Sequence, residues 1–449
     1  MTTPDAVVIG AGFAGFSAAV RLVRAGLRVT IVEARGRLGG RATAFRDRES
    51  GELVDNGQHV LVGAYRDTLT FLREIGAEDR VRTQRQLTVT MIDRDGRWSR
   101  FECPSNLPSP LHLLAGVMDW PALSWTDRFA AIRMGQPLRN AAREWKGDHR
   151  RHAASPGETV RAWLIRNGQT DRLREMLWEP LALAALNQPP ERAAAPPFAR
   201  VLAEMFGGEP SAAAVVLPTR PLDEMYAEPA RTFVEAHRGT VTTGAAAKVH
   251  VEDGRVSRVS VNGTDWSPRI TIAAVPWYAL PELFEGDVRP LAGTLDDARR
   301  TAASPIVTVN LWFDRQVIDE PFLGLPGRTM QWVFDKRIAF GEQASHLCLV
   351  SSGSDEIMTR SNPELVALAH EELLGAVPAV RSATLVRGSV IREPRSTFSL
   401  TPGQPPRPRT ETAVKGLLLA GDWIDTGLPA TIESAVRSGH LAAAAALKA

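Results

Sequence analysis

Residues 6–33 read AVVIGAGFAGFSAAVRLVRAGLRVTIVE. Ala6 to Ile9 is a short apolar run of buried-strand type, and it leads at once into Gly10, Gly12 and Gly15 at G-x-G-x-x-G spacing. A helical period follows through Ala18, Ala19, Leu22 and Val23, and a second strand from Leu27 to Val32 ends on Glu33. Strand, glycine turn, helix, strand and acid, in that order, describe a dinucleotide-binding unit. The glycines, with Phe13 and Ala14 between them, let the backbone approach a pyrophosphate, and the helix start adds aligned N–H groups. Glu33 is placed to accept hydrogen bonds from a ribose diol.

The text after the acid, Glu33-Ala34-Arg35-Gly36-Arg37-Leu38-Gly39-Gly40-Arg41-Ala42, carries two adjacent glycines and three arginines. A second glycine-rich, arginine-bearing loop clamps the other side of a diphosphate. A deeply held flavin needs that clamp more than an exchangeable nicotinamide does.

Bulk properties narrow the setting. A chain of 449 residues, 44% hydrophobic, is long enough for two lobes with separate cores. Fifty-three basic residues stand interleaved with 51 acidic ones, a net charge of +2, which gives nucleic acid no electrostatic footing as a partner. The two cysteines, Cys103 and Cys348, are far apart and lack metal-ligand neighbours, so no disulfide framework and no metal site is expected, and a reducing cytoplasm fits. The N-terminus lacks the basic region of a signal peptide, and no apolar run reaches the 18 residues of a spanning helix.

Further along, DNGQHVLVG at 55–63 is a polar turn ahead of a helix through Leu69, Leu72 and Ile75 that stops at Gly76. Residues 87–101 alternate like a hairpin turning at Asp95-Gly96, and Pro-broken apolar text and Arg/Ala/Leu helices run on to about residue 206. A second hairpin turns at Asp253-Gly254, residues 269–275 read as a buried strand, and β-type segments follow after 286. Near the end, GLLLA at 416–420 is a buried strand, Gly421-Asp422 a turn, and the chain after Pro429 a helix. A parallel sheet orders its strands in space, so this last strand is expected beside the first, with its turn aimed at the same cofactor.

GAGFAG followed by EARGRLGGRA resembles the flavin amine oxidase and phytoene desaturase superfamily. The resemblance implies an α/β protein of amine oxidase type, with a Rossmann-type FAD-binding domain interleaved with an α+β substrate domain. The expected FAD domain comprises 1–80, 215–285 and 386–449, and the substrate domain 81–214 and 286–385. It further implies that Glu33, with Ala34 and Arg35, serves the adenosine, and that Gly39, Gly40 and Arg41 lie along pyrophosphate and flavin. Gly57 and Gln58 are expected beside the isoalloxazine, and an adenine contact near Ala246. Asp422, after Gly421, is expected at the ribityl or pyrophosphate portion, with the helix start at Thr431 and Ile432 aimed at the flavin.

Three longer stretches, 55–77, 178–202 and 417–439, resemble the hydroxysqualene dehydroxylases, FAD-dependent enzymes of bacterial squalene and hopanoid synthesis. The resemblance implies reduction of a hydroxylated C30 isoprenoid to squalene and water. That chemistry calls for an acid at the leaving hydroxyl, stabilisation of a cation-like centre and hydride from the flavin. His59 is the candidate acid, with Asp55, Gln58 and Glu433 as further catalytic candidates and Asp425 in reserve; the alternatives are that Asp55 and His59 hydrogen-bond backbone in a buried turn and that Glu433 serves the helix dipole. Trp423, beside Asp422, is the candidate aromatic contact, and Trp178, Trp277, Trp312 and Trp332 are expected at lobe junctions. Residues 107–125, LPSPLHLLAGVMDWPALSW, read either as the core of a helical subdomain or as a peripheral membrane contact on the cytoplasmic side, with Leu113 and Leu114 as its apolar face. Other squalene or hopanoid synthesis enzymes are the expected protein partners. An oxidase or desaturase of a polyene or amine, and an idle FAD-containing scaffold, are the competing readings.

Overall fold

Ala6–Ile9 is the central strand of a five-stranded parallel sheet in a computed structural model that describes residues 3–47, 51, 53–147, 152–342 and 345–448. The chain ends 1, 2 and 449 of the expected FAD domain lie outside the described residues. The strand order is Thr240–Thr242, Val29–Val32, Ala6–Ile9, Ile270–Ala273 and Leu417–Leu419. Ala6 faces Val29 on one side and Ile270 on the other. The chain builds outward from the first strand in one direction and then crosses to its other side. The carboxyl ends of Ala6–Ile9 and Ile270–Ala273 therefore flank a topological switch point, where α/β sheets open a crevice. The last strand pairs with Ile270–Ala273 and so lies two places from the first, which corrects the expectation that the two are neighbours; a strand from the middle of the chain takes the place between them.

Two helices tie the ends of the chain together. Helix Phe13–Arg24 follows the first strand, and the final helix Ile432–Ala446 packs along it. Ser17 Oγ donates to Val436 O at 3.2 Å, and a Cβ on Gly439 would stand 2.1 Å from that hydroxyl. Glycine is needed where two backbones approach so closely.

The second lobe is built on a seven-stranded sheet in the order Leu385–Phe398, Ala303–Phe313, Ser345–Ser352, Trp332–Asp335, Phe322–Gly324, Thr88–Ile92 and Trp98–Glu102. Its pairs are antiparallel except at Gly324↔Met91. Ala303 pairs with Phe398, so residues 386–398, grouped with the FAD domain in the sequence reading, hydrogen-bond into this sheet. Helix Asn362–Ala376 covers a core of Val307, Val309, Leu347 and Leu349.

Helices Leu111–Asp119, Trp125–Ile132, Gly135–Trp145, Val160–Arg166, Glu179–Leu186 and Ala195–Phe206 form a helical layer around Trp120, Trp163 and Trp178. Trp163 Nε1 donates to Ala153 O at 2.8 Å and Trp178 Nε1 to Gln169 Oε1 at 2.9 Å, so each large ring is buried with its polar atom paired. Leu113 belongs to this interior at 6% exposure, which corrects its placement on an outer apolar face. Only Leu111 and Leu114 of that helix turn their leucine side chains outward.

Candidate functional site

A cavity of about 560 Å³ opens at the carboxyl ends of the parallel strands and continues between the lobes. Gly10, Gly12, Phe13 and Ala14 line it from the first turn, and Glu33, Ala34 and Arg35 from the second strand end. Gly39, Gly40 and Arg41, then Gly421, Asp422, Thr431 and Ile432, complete that wall. Gly10 holds φ +109°, and a Cβ there would lie 2.5 Å from Ala274 O. At Gly12 the nearest atom to an added Cβ is Gly39 O at 3.8 Å, so its missing side chain is cavity space. Gly15 does not line the cavity. A Cβ on it would meet Gly10 O at 1.9 Å, so this glycine seats helix on strand.

Glu33 organises the loops around it. Its Oε2 accepts from Ala11 N and its Oε1 from Arg35 N, both at 2.9 Å. Ala245 N donates to Glu33 O at 2.9 Å, and Ala245 and Ala247 line the cavity while Ala246 is exposed. The wall position near 246 thus falls to its two neighbours, because alternation along an extended chain turns the middle residue away.

Both ends of the polypeptide meet at Arg41. Its guanidinium takes both carboxylate oxygens of Asp422, one at 3.1 Å, donates to Ser396 O at 3.1 Å and lies 5.3 Å from the Trp277 ring centre. Gly421 N donates to Ser438 Oγ at 2.7 Å, fixing the turn on the final helix. That helix is capped by Thr431, whose hydroxyl accepts from Ser434 N at 3.1 Å. Helix Phe13–Arg24 has no side-chain cap at Gly12, so its first N–H groups are free to serve an anion. Two helix starts, an arginine and a carboxylate around glycine-opened space fit a diphosphate, a ribose diol and an extended ring system.

Gly57, Gln58 and His59 line the cavity, whereas Asp55 sits behind them. Asp55 Oδ2 accepts from Lys336 Nζ at 3.0 Å, and its Oδ1 accepts from Leu222 N at 3.1 Å. Lys336, 1% exposed, also donates to Gln58 Oε1. The catalytic reading of Asp55 thus gives way to an ion pair that fastens the 55–59 segment to the second lobe. His59 Nδ1 lies 2.8 Å from Gly57 O. A carbonyl only accepts, so Nδ1 carries the proton and Nε2 is the acceptor. Burial pushes the His59 pKa down, and Lys336 adds to the effect against the pull of Asp55. Burial and Lys336 thus work against the charged imidazolium that the acid reading of His59 needs.

Glu433 also has another task. It accepts from Asp67 N at 3.0 Å, Thr68 N at 2.9 Å and Thr68 Oγ1 at 2.8 Å, capping helix Arg66–Glu74 from across the fold. Burial raises its pKa although these donors pull the other way. Trp423 Nε1 donates to Val275 O at 3.0 Å, and the ring borders a smaller, separate cavity, so it braces the Gly421 turn from behind. Asp425 Oδ1 pairs with Arg407 at 3.4 Å, outside the cavity wall. Of the other tryptophans, Trp332 alone reaches the cavity, while Trp178 and Trp277 are core and Trp312 stacks on His346.

Sequence reasoning missed Tyr65, Glu204 and Arg437 on the wall, and Lys336 behind it. Tyr65, two residues beyond the DNGQHVLVG stretch, bore the only visible signal. Burial raises its pKa, so it remains a phenol.

Residues 13–447 match the family model of flavin containing amine oxidoreductases. A hydroxysqualene dehydroxylase of Sinorhizobium fredii is 30% identical over 453 residues, spanning 98% of this chain and 97% of that one. A 15-cis-phytoene desaturase of an Oncidium hybrid cultivar is 26% identical over 458 residues, spanning 98% and 77%. Among solved structures, an oxidoreductase from Methanosarcina mazei superposes with a TM-score of 0.74 at 18% identity, covering 97% of this chain and 99% of that one. The chain belongs to the family of flavin containing amine oxidoreductases and is a flavin-dependent oxidoreductase.

Proposed function

We propose that the chain holds FAD and reduces hydroxysqualene to squalene and water, on the inner side of the cytoplasmic membrane. One observation carries this reading: the cavity runs without a break from the glycine turns to an apolar wall that includes Leu181, Val201, Met205, Phe322 and Phe334. A nucleotide cradle that opens into hydrocarbon-lined space suits a long isoprenoid better than a soluble amine. The near full-length similarity to hydroxysqualene dehydroxylases supports hydroxysqualene as that isoprenoid.

In the reaction the C–O bond breaks, the hydroxyl leaves as water with an added proton, and a hydride forms the new C–H bond. Reduced FAD, when bound, supplies the hydride and is itself oxidised. Gly12, Gly39, Gly40, Arg41 and Asp422 hold the diphosphate and ribityl portions, and Glu33 serves the adenosine ribose. Tyr65, kept a phenol by burial, is placed to donate a hydrogen bond to the leaving oxygen, and the added proton is drawn from solvent. His59 Nε2 accepts from the substrate hydroxyl and orients it. The π-faces of Trp332 and Tyr278 attend the electron-poor carbon. The Lys336–Asp55 pair keeps Gln58 and His59 in register with this wall. The class of reaction preceding this one must deliver a hydroxylated C30 chain, and the next consumes squalene.

Phytoene desaturase relatives support a second reading, hydride removal from a polyene. Anaerobic addition of hydroxysqualene to photoreduced protein separates the two. The dehydroxylase reading expects the oxidised flavin spectrum to return as squalene forms. Bleaching of oxidised protein by a polyene, with no response to hydroxysqualene, would establish the second reading, and flavin that responds to neither would leave a scaffold.

A further inference from the structure

Seven of the eleven large apolar side chains exposed among the described residues fall between 111 and 165, which singles out one region of the surface. Its centre is helix Trp125–Ile132. Trp125, Phe129 and Ile132 recur at helical spacing on one face and are 63%, 59% and 51% exposed. The opposite side is anchored: Asp127 Oδ1 accepts from Thr170 Oγ1 at 2.6 Å, and Ala130 O accepts from Gln169 Nε2 at 2.9 Å. The helix cannot roll its apolar face inward without breaking these bonds. Leu111 and Leu114, on the helix that packs beside it, are exposed as well.

Within residues 111–146 the exposed charges around the face are basic except for Asp119. Arg128 lies 4.9 Å from the Trp125 ring centre, and Arg133, Arg139, Arg143 and Lys146 are exposed on the following turns. The acids of 111–146 are Asp119, Asp127 and Glu144. Asp127 is buried, and Glu144 is engaged by His152 and Ala153 N. A second copy of the chain meeting this face across a two-fold axis would bring arginine against arginine. An anionic lipid surface complements it, and tryptophan with basic residues is the composition that settles at a headgroup boundary.

We propose that the outer face of Trp125–Ile132, flanked by Leu111 and Leu114 and rimmed by Arg128 and Arg133, docks on the anionic leaflet of a lipid bilayer. No helix among the described residues is long and apolar enough to cross a membrane, so contact is with the surface. The location relative to the cavity suits the delivery of a bilayer-borne substrate. Helix Gly135–Trp145 packs on Ala195–Phe206, whose Val201 and Met205 line the cavity, and His112 of the neighbouring helix lies 6.2 Å ring to ring from Phe206. The docking face thus stands one helix away from the apolar wall. The proposal deepens the substrate reading by naming a partner, and its evidence is the surface alone.

The test is sedimentation of the flavin-loaded protein with vesicles of phosphatidylglycerol and phosphatidylcholine, and with vesicles of phosphatidylcholine alone. The triple variant W125S/F129S/I132S is expected to lose roughly tenfold or more of its partitioning while its flavin absorbance and melting temperature stay unchanged. The variant R133Q/R143Q is expected to lose roughly tenfold on the anionic vesicles and little on the neutral ones. Undiminished sedimentation of the triple variant overturns the proposal, as does a shift of the native protein from dimer to monomer on the same substitution. Failure of hydroxysqualene turnover with docking intact would refute the substrate reading and leave the surface assignment standing.

Discussion

The two lobes face one cavity with different materials. On the parallel-sheet side the wall is largely backbone and small residues, opened by Gly10, Gly12, Gly39, Gly40 and Gly421. On the side of the seven-stranded sheet it is side chain: Ile306, Phe322, Trp332, Phe334 and Val350. At Gly10 and Gly39 an added methyl would meet the Ala274 and Ala42 carbonyls at 2.5 and 2.8 Å, which cannot move aside, and at Gly12 it would fill the cavity space itself. A wall of side chains yields to exchanges of similar volume. Cofactor grip is therefore rigid in sequence and substrate fit is adjustable, on opposite banks of the same space.

Three substitutions break or sharpen that contrast. Gly15→Ala has the largest expected effect, since its methyl would stand 1.9 Å from Gly10 O. A loss of about 3 kcal/mol or more and a colourless or insoluble product are expected, read by flavin absorbance and thermal melting.

Lys336→Met tests the seam between the banks. It leaves Asp55 buried without its cation, a loss of about 3 kcal/mol, and the double variant K336M/D55N should recover part of it in a double-mutant cycle. Lys336 also helps depress the His59 pKa, so nuclear magnetic resonance should find that pKa moving up in K336M. The sign for the native protein follows from the same group. A His held below its usual 6.5 contributes stability that is present above that value and declines as pH falls through the folded pKa, because the unfolded chain takes the proton first. Unchanged titration of His59 in K336M would count against the seam.

Phe334→Leu, on the adjustable bank, should leave flavin binding as it is and cost about 1 kcal/mol of stability. Its effect belongs in KM for the proposed isoprenoid substrate, measured by steady-state turnover. A flavin-free F334L protein would erase the distinction between the two banks.

The rigid bank was the part legible in the sequence. Gly10, Gly12 and Gly15, the 39–41 loop and the Gly421-Asp422 turn announce themselves because a close approach or a left-handed backbone needs glycine at fixed spacing. The hairpin at Asp253-Gly254 was equally plain, with φ of +50° and +69° at its two turn residues. The seam was illegible. Lys336 and Asp55 are 281 residues apart, and a lone lysine before a short helix carries no local pattern. Glu433 and Trp423 follow recognisable glycine turns, yet which way each side chain leaves its turn is decided by packing against Thr68 and Val275. In residues 107–125 the apolar letters cannot say which leucine faces inward, and Leu113 and Leu114 part company by one step of the helix.

The central claim is that both ends of the chain grip one dinucleotide through the paired Arg41 and Asp422. Titrating flavin-stripped protein with FAD and with FMN, for the native chain and for Asp422→Ala, tests it most directly. The account predicts that FAD binds stoichiometrically and far more tightly than FMN, which lacks the adenosine and the second phosphate, and that D422A loses most of that advantage. Equal affinity for the two flavins, or an Asp422→Ala protein that still prefers FAD as strongly as the native chain, would contradict it.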